Sequence, residues 1–301
     1  MSRGNRDQEQ AGGRRRRGRP TGGGQLRRTV DSYGDQSVRV IYVAGEGART
    51  EPEYFRLINK TFGDRPGREK FHLKVCEPSN PNGLRPEAVV DLVLSEAEKK
   101  GDQDCEKWAF FDRDAEDNRD TEIPRAMRKA SENGVHVALS HPSFEIWLLL
   151  HFRPFTSQEN GRDAEVIKQL RNHPKADGFK EYDKASGDRG KGLGGGRGEA
   201  LMREARGREQ APIRNAVRNA RKLVTSCPHG DCSPKRADDL LAASKAARAD
   251  AGSSGETAPE SYETWRTRTG HAADCDPLKR DPSSDVWRFL ADLEIATEDS
   301  Y

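Results

Sequence analysis

The chain has 301 residues, of which 34% are charged and 33% are hydrophobic. This low apolar content, with a mean hydropathy of -0.98, predicts that part of the chain carries no hydrophobic core. The longest apolar run, Ile146–Leu150, is far shorter than the ~18 residues that a membrane-spanning helix needs, so the sequence excludes a protein with helical membrane spans.

The net charge of +2 hides a strong asymmetry along the chain. Residues 1–30 contain nine arginines against only Asp7 and Glu9, whereas the rest of the chain is slightly acidic. We predict that residues 1–36 form a disordered basic tail, because they hold almost no apolar side chains to offset the entropy of ordering. The run Arg14–Arg17 could contact nucleic acid through charge alone, or it could serve only to keep the chain in solution.

The N-terminus and the cysteines both favour a cytoplasmic protein. The arginine-rich start has no apolar segment of the kind that a secretory signal needs. The five cysteines are scattered and odd in number, which suits a reducing compartment better than a disulfide-stabilised fold.

Strands and helices are predicted to alternate over residues 37–152. The β-branched run Val38–Val43 ends in glycines, as expected of a buried strand before a tight turn. Thr50–Glu53 matches a capping box with a proline in the first turn, which predicts the start of a helix. Further strands are predicted at Phe71–Val75, Trp108–Phe111 and Val135–Leu139, and further helices at Pro86–Lys99, Ile123–Glu132 and Ser143–Phe152. This alternation predicts an α/β core, a mostly parallel sheet with helices on both faces.

Residues 153–301 are predicted to form a mainly helical region with flexible insertions. Helices are expected at Ala164–Asn172, Ile213–Thr225, Arg236–Arg248 and Ser284–Ile295. Gly190–Gly198 is rich in glycine and predicts a loop, and the composition of Ala249–Glu263 predicts a flexible segment.

Acidic residues follow two of the predicted strands. Glu46 lies between Gly45 and Gly47 after the first strand, and Asp112 and Asp114 follow the third. Parallel sheets form their sites beyond the carboxyl ends of the strands, and Mg²⁺ prefers oxygen ligands of this kind. The simpler alternatives are that Glu46 belongs only to a turn and that the two aspartates cap the next helix.

A third acidic position is Glu145, which lies in the apolar segment Ser140–Phe152. It could be favoured there by the positive end of the helix dipole. It could instead be a third acidic group that faces the same crevice at the edge of the sheet.

Three blocks carry a likeness to a known family: Glu46–Phe55, Phe110–Asp114 and Ser140–Phe152. The corresponding family patterns read close to E-G-x-x-T-E-x-x-Y-F, F-D-x-D and S-N-P-x-F-E-x-W-L-L-L-H-F. The chain resembles the RloB family, Toprim-like proteins of prokaryotic mobile defence loci. It departs from the pattern at His141, where the family usually has asparagine.

The resemblance implies a Toprim-like fold and a metal-dependent nuclease that acts in anti-phage defence. Mg²⁺, or alternatively Mn²⁺, would be held by Glu46, Asp112 and Asp114, and Glu145 would be a further ligand or would orient the attacking water. Arg49 and Arg113 would offset charge on the scissile phosphate, or would simply pair with neighbouring carboxylates.

The expected partners are a nucleic acid, DNA or RNA, and an ATPase encoded nearby, with no membrane. The alternative function is a non-catalytic regulatory subunit that binds nucleotide or nucleic acid while a partner does the chemistry. The sequence leaves the oligomeric state open.

Two other patterns are set aside. Cys227 and Cys232 have a C-x₄-C spacing, but no clear second pair follows and Cys275 is the only later cysteine, so we do not predict a zinc site. Gly190–Gly192 lacks the spacing and the Ser or Thr of a phosphate-binding P-loop. The basic residues Lys184, Arg189, Lys191 and Arg197 around it could contact a phosphate backbone or could form a solvated loop.

Overall fold

The computed structural model describes residues 38–67, 69–80, 83–102, 105–114, 119–160, 162–184, 190–205, 210–250 and 260–295. The predicted basic tail, residues 1–36, lies outside this part of the chain, as does most of the segment predicted to be flexible, 249–263. Every helix in the described ranges is too short or too polar to cross a bilayer.

Five strands form one mixed sheet in the order β2-β1-β3-β4-β5. Four of them are parallel: β1 (Arg39–Gly45), β2 (Phe71–Cys76), β3 (Glu106–Asp112) and β4 (Val135–His141). The short strand β5 (Ser283–Ser284) pairs antiparallel with β4 at one edge. The predicted α/β class with a mostly parallel sheet is therefore confirmed, and the antiparallel edge strand is an addition that the sequence did not indicate.

Ten α-helices are present in the described residues. Three connect the parallel strands: α1 (Thr50–Phe62), α2 (Pro86–Lys99) and α3 (Glu122–Glu132). The others follow β4: α4 (Phe144–Leu150), α5 (Ala164–Asn172), α6 (Arg197–Met202), α7 (Pro212–Thr225), α8 (Pro234–Asp250), α9 (Tyr262–Arg266) and α10 (Val286–Asp292). Short 3-10 helices lie at Phe179–Glu181, Thr267–Thr269 and Pro277–Lys279. The C-terminal helical region is thus confirmed.

The two faces of the sheet have separate hydrophobic cores because side chains alternate along each strand. In β1, Ile41 and Val43 point to one core, and Tyr42 and Ala44 to the other. Helices α1, α4, α5, α7 and α10 cover the first face, and α2 and α3 cover the second. The first core contains residues from both sides of residue 152, and the division into two domains at that position stays a prediction.

The strand order determines where a site can form. The chain leaves β1 through α1 to reach β2 on one side, and then crosses through α2 to β3 on the other side of β1. The carboxyl ends of β1 and β3 therefore flank the point where the winding direction reverses, which is where open α/β sheets form a crevice.

The predicted capping box at Thr50–Glu53 is wrong. Thr50 is already the first residue of α1, and no side chain caps the helix. The Thr50 hydroxyl instead donates to the main-chain oxygen of Lys191 (2.9 Å), and the Glu53 carboxylate accepts from the Leu193 N–H. Both side chains bind the glycine-rich segment, so tertiary contacts have replaced the local capping interaction.

We predict that the docking of α10 on the sheet depends on Phe289. Its ring makes edge contacts with Phe55, Trp108 and Phe110, with centroids 6.1, 5.0 and 5.2 Å away. Phe289→Ala should lower the free energy of unfolding by about 3–5 kcal/mol, since it leaves a cavity in the first core. Phe289→Leu should cost clearly less in the same chemical denaturation experiment. If both variants lost the same small amount of unfolding free energy, the packing of Phe289 described here would be contradicted.

Candidate functional site at the carboxyl edge of the sheet

An open cleft of about 890 Å³ lies beyond the carboxyl ends of β1 and β3. Seven acidic and four basic side chains line it, a formal excess of three negative charges when all are ionised. The acidic residues are Glu46, Glu51, Asp112, Asp114, Glu145, Asp163 and Asp183, and the basic residues are Arg49, Arg85, Arg119 and Lys191. The four acids predicted from the sequence to hold or assist a metal come from three segments, and the structure brings all four into this cleft.

Glu46 connects the ends of the two central strands. It follows β1 directly, is buried, and accepts a hydrogen bond at Oε2 from the main-chain N–H of Asp112 (3.1 Å). Its other oxygen pairs with Arg119, which is itself buried. Arg119 also donates to the main-chain oxygen of Asp112 (3.3 Å). Residues 66 positions apart are therefore held in direct contact.

Asp112 connects this pair to α4. The main-chain N–H of Phe144, the first residue of α4, donates to Asp112 Oδ2 (3.0 Å). Burial raises the pKa of Asp112 well above its usual value, and the negative charges of Glu46, Glu51 and Glu145 add to this effect. The hydrogen bond from Phe144 opposes the shift but does not cancel it.

Glu145 occupies the first turn of α4 and is buried. Tyr182 donates a hydrogen bond to its Oε1 (2.9 Å), and Lys191 Nζ lies 3.3 Å from the same oxygen. Burial disfavours the charged form, but the charge of Lys191 and the hydrogen bond from Tyr182 oppose this effect, and the pKa of Glu145 is lowered. Glu145 is thus ionised at neutral pH.

Glu51 is a buried acid of the cleft that the sequence analysis did not select. Its Oε1 accepts from the Gly47 N–H (2.8 Å), and burial, with the charges of Glu145 and Glu46, raises its pKa to about 7. A Cβ added to Gly45 or Gly47 would lie 2.5 Å from the Glu51 side chain, so both glycines permit its close approach. The available signal was the second glutamate of E-G-x-x-T-E, which the capping interpretation obscured.

The two arginines that were predicted to offset charge on the phosphate, Arg49 and Arg113, lie in different places. Arg49 lines the cleft and is exposed, as expected of a side chain that could meet a phosphate. Arg113 is not among the residues that line it. Its Nη2 lies 2.7 Å from Asp120, and its main-chain N–H donates to Ser140. The structure therefore supports the simpler alternative for Arg113, pairing with a carboxylate.

The basic residues of the glycine-rich region also differ in their contacts. Lys191 reaches the cleft, whereas Arg197 donates to main-chain oxygens of the loop that carries Lys191. Lys184 pairs with Glu181 (2.8 Å), and Arg189 lies outside the described residues. The contacts of Arg197 thus hold the predicted loop in place, and the loop positions Lys191 beside the acidic residues of the cleft.

The cleft suits a hydrated divalent cation. Its donors are carboxylate oxygens in negative excess, and the mutual repulsion of Glu46, Glu51, Asp112 and Glu145 contributes to the raised pKa of Asp112. These acids do not converge as closely as a fully protein-coordinated ion requires. In the described part of the chain, the sole group of metal-ligand side chains whose donor atoms all lie within 4.8 Å of one another is a Cys/His group elsewhere. Mg²⁺ commonly uses one or two carboxylates and keeps several waters, which such spacing allows.

Comparison with known families agrees with the motif-bearing blocks. A family model described as RloB-like protein matches residues 41–237. The chain belongs to the RloB-like family. The matched range contains every residue that lines the cleft. A search of curated proteins and a search of solved structures found no match.

The raised pKa of Glu51 predicts a pH-dependent stability of the metal-free protein. Because the folded state binds this proton more tightly than the unfolded state, the contribution of Glu51 to stability should fall as pH rises from about 4.5 to 7. The shift from 4.5 to about 7 corresponds to about 3 kcal/mol, and Asp112 acts in the same direction. Denaturant unfolding in a chelator should therefore contain a loss of stability due to Glu51 between pH 5 and pH 8. It is superimposed on the opposite effect of four histidines whose pKa values are lowered by burial.

Glu51→Gln should reduce that loss, since glutamine still accepts the Gly47 hydrogen bond but carries no charge. The matched control is Glu98→Gln, which changes an exposed acid on α2 and should keep the wild-type pH dependence. If the free energy of unfolding depended on pH in the same way in the wild type and in Glu51→Gln, the pKa of Glu51 would not be raised by burial.

Proposed function

We propose that this protein is a metal-dependent, Toprim-like nuclease that hydrolyses phosphodiester bonds of nucleic acid in anti-phage defence. The observation that supports this most strongly is the contact between Glu46 and Asp112 at the reversal point of the sheet. A buried acid from α1 and another from α4, Glu51 and Glu145, line the same cleft. Membership of the RloB-like family is consistent with the proposal.

The acids that hold the metal in this proposal are Glu46, Asp112 and Asp114, one or two of them directly and the rest through its bound water, with Mg²⁺ as the cation and Mn²⁺ as a substitute. When bound, such an ion polarises a phosphate oxygen and lowers the pKa of a bound water. The excess of negative charge that the ionised acids give the cleft supports the need for a bound cation, because the cleft would otherwise repel a polyanion.

The remaining side chains have roles that follow from their contacts. Glu145 is ionised and held by Tyr182, and a carboxylate with a lowered pKa is a weak base, so we assign it to ligation or to orienting water. Lys191 and Arg49 line the cleft and would offset charge on the phosphate. Arg119 neutralises Glu46 and positions it.

We predict that Glu46→Gln and Asp112→Asn each lower the rate of cleavage by at least about a hundredfold. Both substitutions keep the shape of the side chain and its hydrogen-bond acceptor, so the fold should be retained. The assay would use single- and double-stranded DNA and RNA with Mg²⁺ or Mn²⁺. It would be run with and without ATP and the ATPase encoded nearby, which is the partner that we propose. Glu98→Gln is the control and should cut like the wild type.

Cleavage that survives in both variants would refute the assignment of these acids. Absence of cleavage by the wild type under all of these conditions would instead favour the non-catalytic regulatory subunit. The two outcomes are distinguishable because only the first leaves activity to measure.

Metal binding can be tested without turnover. At pH 8, saturating Mg²⁺ should stabilise the wild type and Glu98→Gln against unfolding, by about 2.7 kcal/mol at a hundred times the dissociation constant. The double variant with Glu46→Gln and Asp112→Asn should gain little, since both proposed ligands lose their charge. Equal stabilisation of the double variant would place the ion elsewhere.

A further inference from the structure

A second cluster of possible metal ligands lies outside the cleft. Cys227 and Cys232 come from the loop between α7 and α8, and His271 and Cys275 from the segment after the 3-10 helix Thr267–Thr269. One donor atom from each residue lies within 4.8 Å of all the others. None of the four lines the acidic cleft.

We propose that these four side chains form a structural zinc site. The sequence analysis set zinc aside because no second cysteine pair follows Cys227 and Cys232, and it did not consider a histidine in place of one of the cysteines. The second half of the set is His271 and Cys275 in an H-x₃-C spacing, 38 intervening residues downstream, and folding brings the halves together.

Two separations within the cluster match those between the ligands of a tetrahedral site. Cys227 Sγ lies 3.8 Å from Cys275 Sγ, and Cys275 Sγ lies 3.7 Å from His271 Nδ1. Ligands about 2.3 Å (sulfur) and about 2.0 Å (nitrogen) from zinc at tetrahedral angles are separated by roughly 3.5–3.8 Å. The cysteines are free thiols, and the sulfur separation is far beyond that of a disulfide, about 2.05 Å.

The surroundings of the cluster match those of zinc ligands. The main-chain N–H of Ala272 donates to Cys232 Sγ (3.3 Å), a contact that favours a thiolate, and the thiol proton that Cys232 donates to the His229 oxygen (3.0 Å) would be released on metal binding. His271 is fully buried, and its second ring nitrogen, Nε2, lies 3.8 Å from Asp285 Oδ1. Neither of these two buried atoms makes a hydrogen bond. Asp285 thus lies on the side of the ring where zinc-binding histidines commonly have a carboxylate partner, although the separation is too long for a hydrogen bond.

Two arginines balance the charge of the site. Three thiolates, one neutral histidine and Zn²⁺ together carry one negative charge. Arg266 and Arg280 each donate to the main-chain oxygen of Cys275, at 2.9 and 3.3 Å, and Arg280 is buried. Their positive charges favour an anionic metal centre in this position.

The two loops are held together independently of the metal. Ser233 donates its main-chain N–H to Gly270 (2.8 Å), and a Cβ on Gly270 would lie 2.7 Å from the Ser233 oxygen. Gly270 also has φ +87°, which favours glycine. The ligands are thus preorganised, and with four protein donors no position is left open for substrate, so the site is structural rather than catalytic.

The position of the site indicates what it stabilises. It joins the end of α7 to the segment that continues into β5 and α10. Asp285, which faces His271, donates its main-chain N–H to Leu139 of β4 (2.9 Å). Zinc would therefore fasten the C-terminal segment, and with it the edge strand, to the helical layer.

The decisive experiment measures metal in the full chain after removal of any affinity tag. We expect about one zinc per chain in the wild type, released when the thiols are blocked with an organomercurial. Cobalt substitution should produce the intense visible and thiolate charge-transfer absorption of a tetrahedral thiolate-rich site. Cys232→Ser and Cys275→Ser should each lose most of the zinc and alter the cobalt spectrum. Cys105→Ser, which changes a thiol outside the cluster, should leave both unchanged.

A folded wild type that holds no zinc and develops no tetrahedral cobalt spectrum would overturn the proposal. So would full zinc content in both cluster variants. If either variant fails to fold, the zinc content and cobalt spectrum of the wild type still decide. The acidic cleft shares no ligand with this cluster, so the outcome does not affect the nuclease proposal.

Discussion

The structure depends on burying several carboxylates against one another where the winding of the sheet reverses. Like charges in a partly buried site repel strongly, and each loses hydration that the protein must replace. Here the replacement comes from directed contacts. Arg119 pairs with Glu46 and Lys191 with Glu145, and main-chain N–H groups donate to Glu51 and Asp112. When all the acids of the cleft are ionised, these contacts leave an excess of negative charge, which is the physical basis for proposing a cation.

The fold is organised around these contacts. Residues of β1, β3 and α4 are linked through Glu46, Asp112 and Phe144, so the acids also join the sheet to the helical layer. Helix α4 is buried along its whole length, which fixes Glu145 in place. The glycine-rich segment packs on α1 through Thr50 and Glu53 and carries Lys191 to the cluster.

The two proposed metal sites differ in the chemistry of their ligands and in their closure. The cleft offers oxygen donors around an open volume, which suits a hard cation that keeps water and accepts substrate. The Cys/His cluster offers sulfur and nitrogen donors within one closed sphere, which suits a structural zinc. Such a division would place chemistry at the sheet edge and stabilisation in the C-terminal region.

Much was readable from the sequence because it depends on local pattern. Helices α2 and α5 have the predicted boundaries, and all four parallel strands lie where β-branched and aromatic runs end in turn residues. Acids that follow strands could be placed at one edge, because parallel strands share their direction. Glu46, Asp112 and Asp114 were found in this way, whereas Glu145 was selected from the apolar segment that contains it.

The remaining features depend on which distant segments meet. Glu51 looked like a helix-start residue, and only the packing of α1 against Gly47 shows it as a buried acid. Arg119 and the pairing of Lys191 with Glu145 had no local signal, since ion pairs between separate loops leave no periodicity. The Cys/His cluster is assembled from two short segments whose spacing matches no familiar pattern. The sequence by itself determined the four parallel strands and the edge of the sheet at which the acidic residues lie. Tertiary structure alone decided which charges those acids meet and which thiols come together, because these contacts arise between residues far apart along the chain.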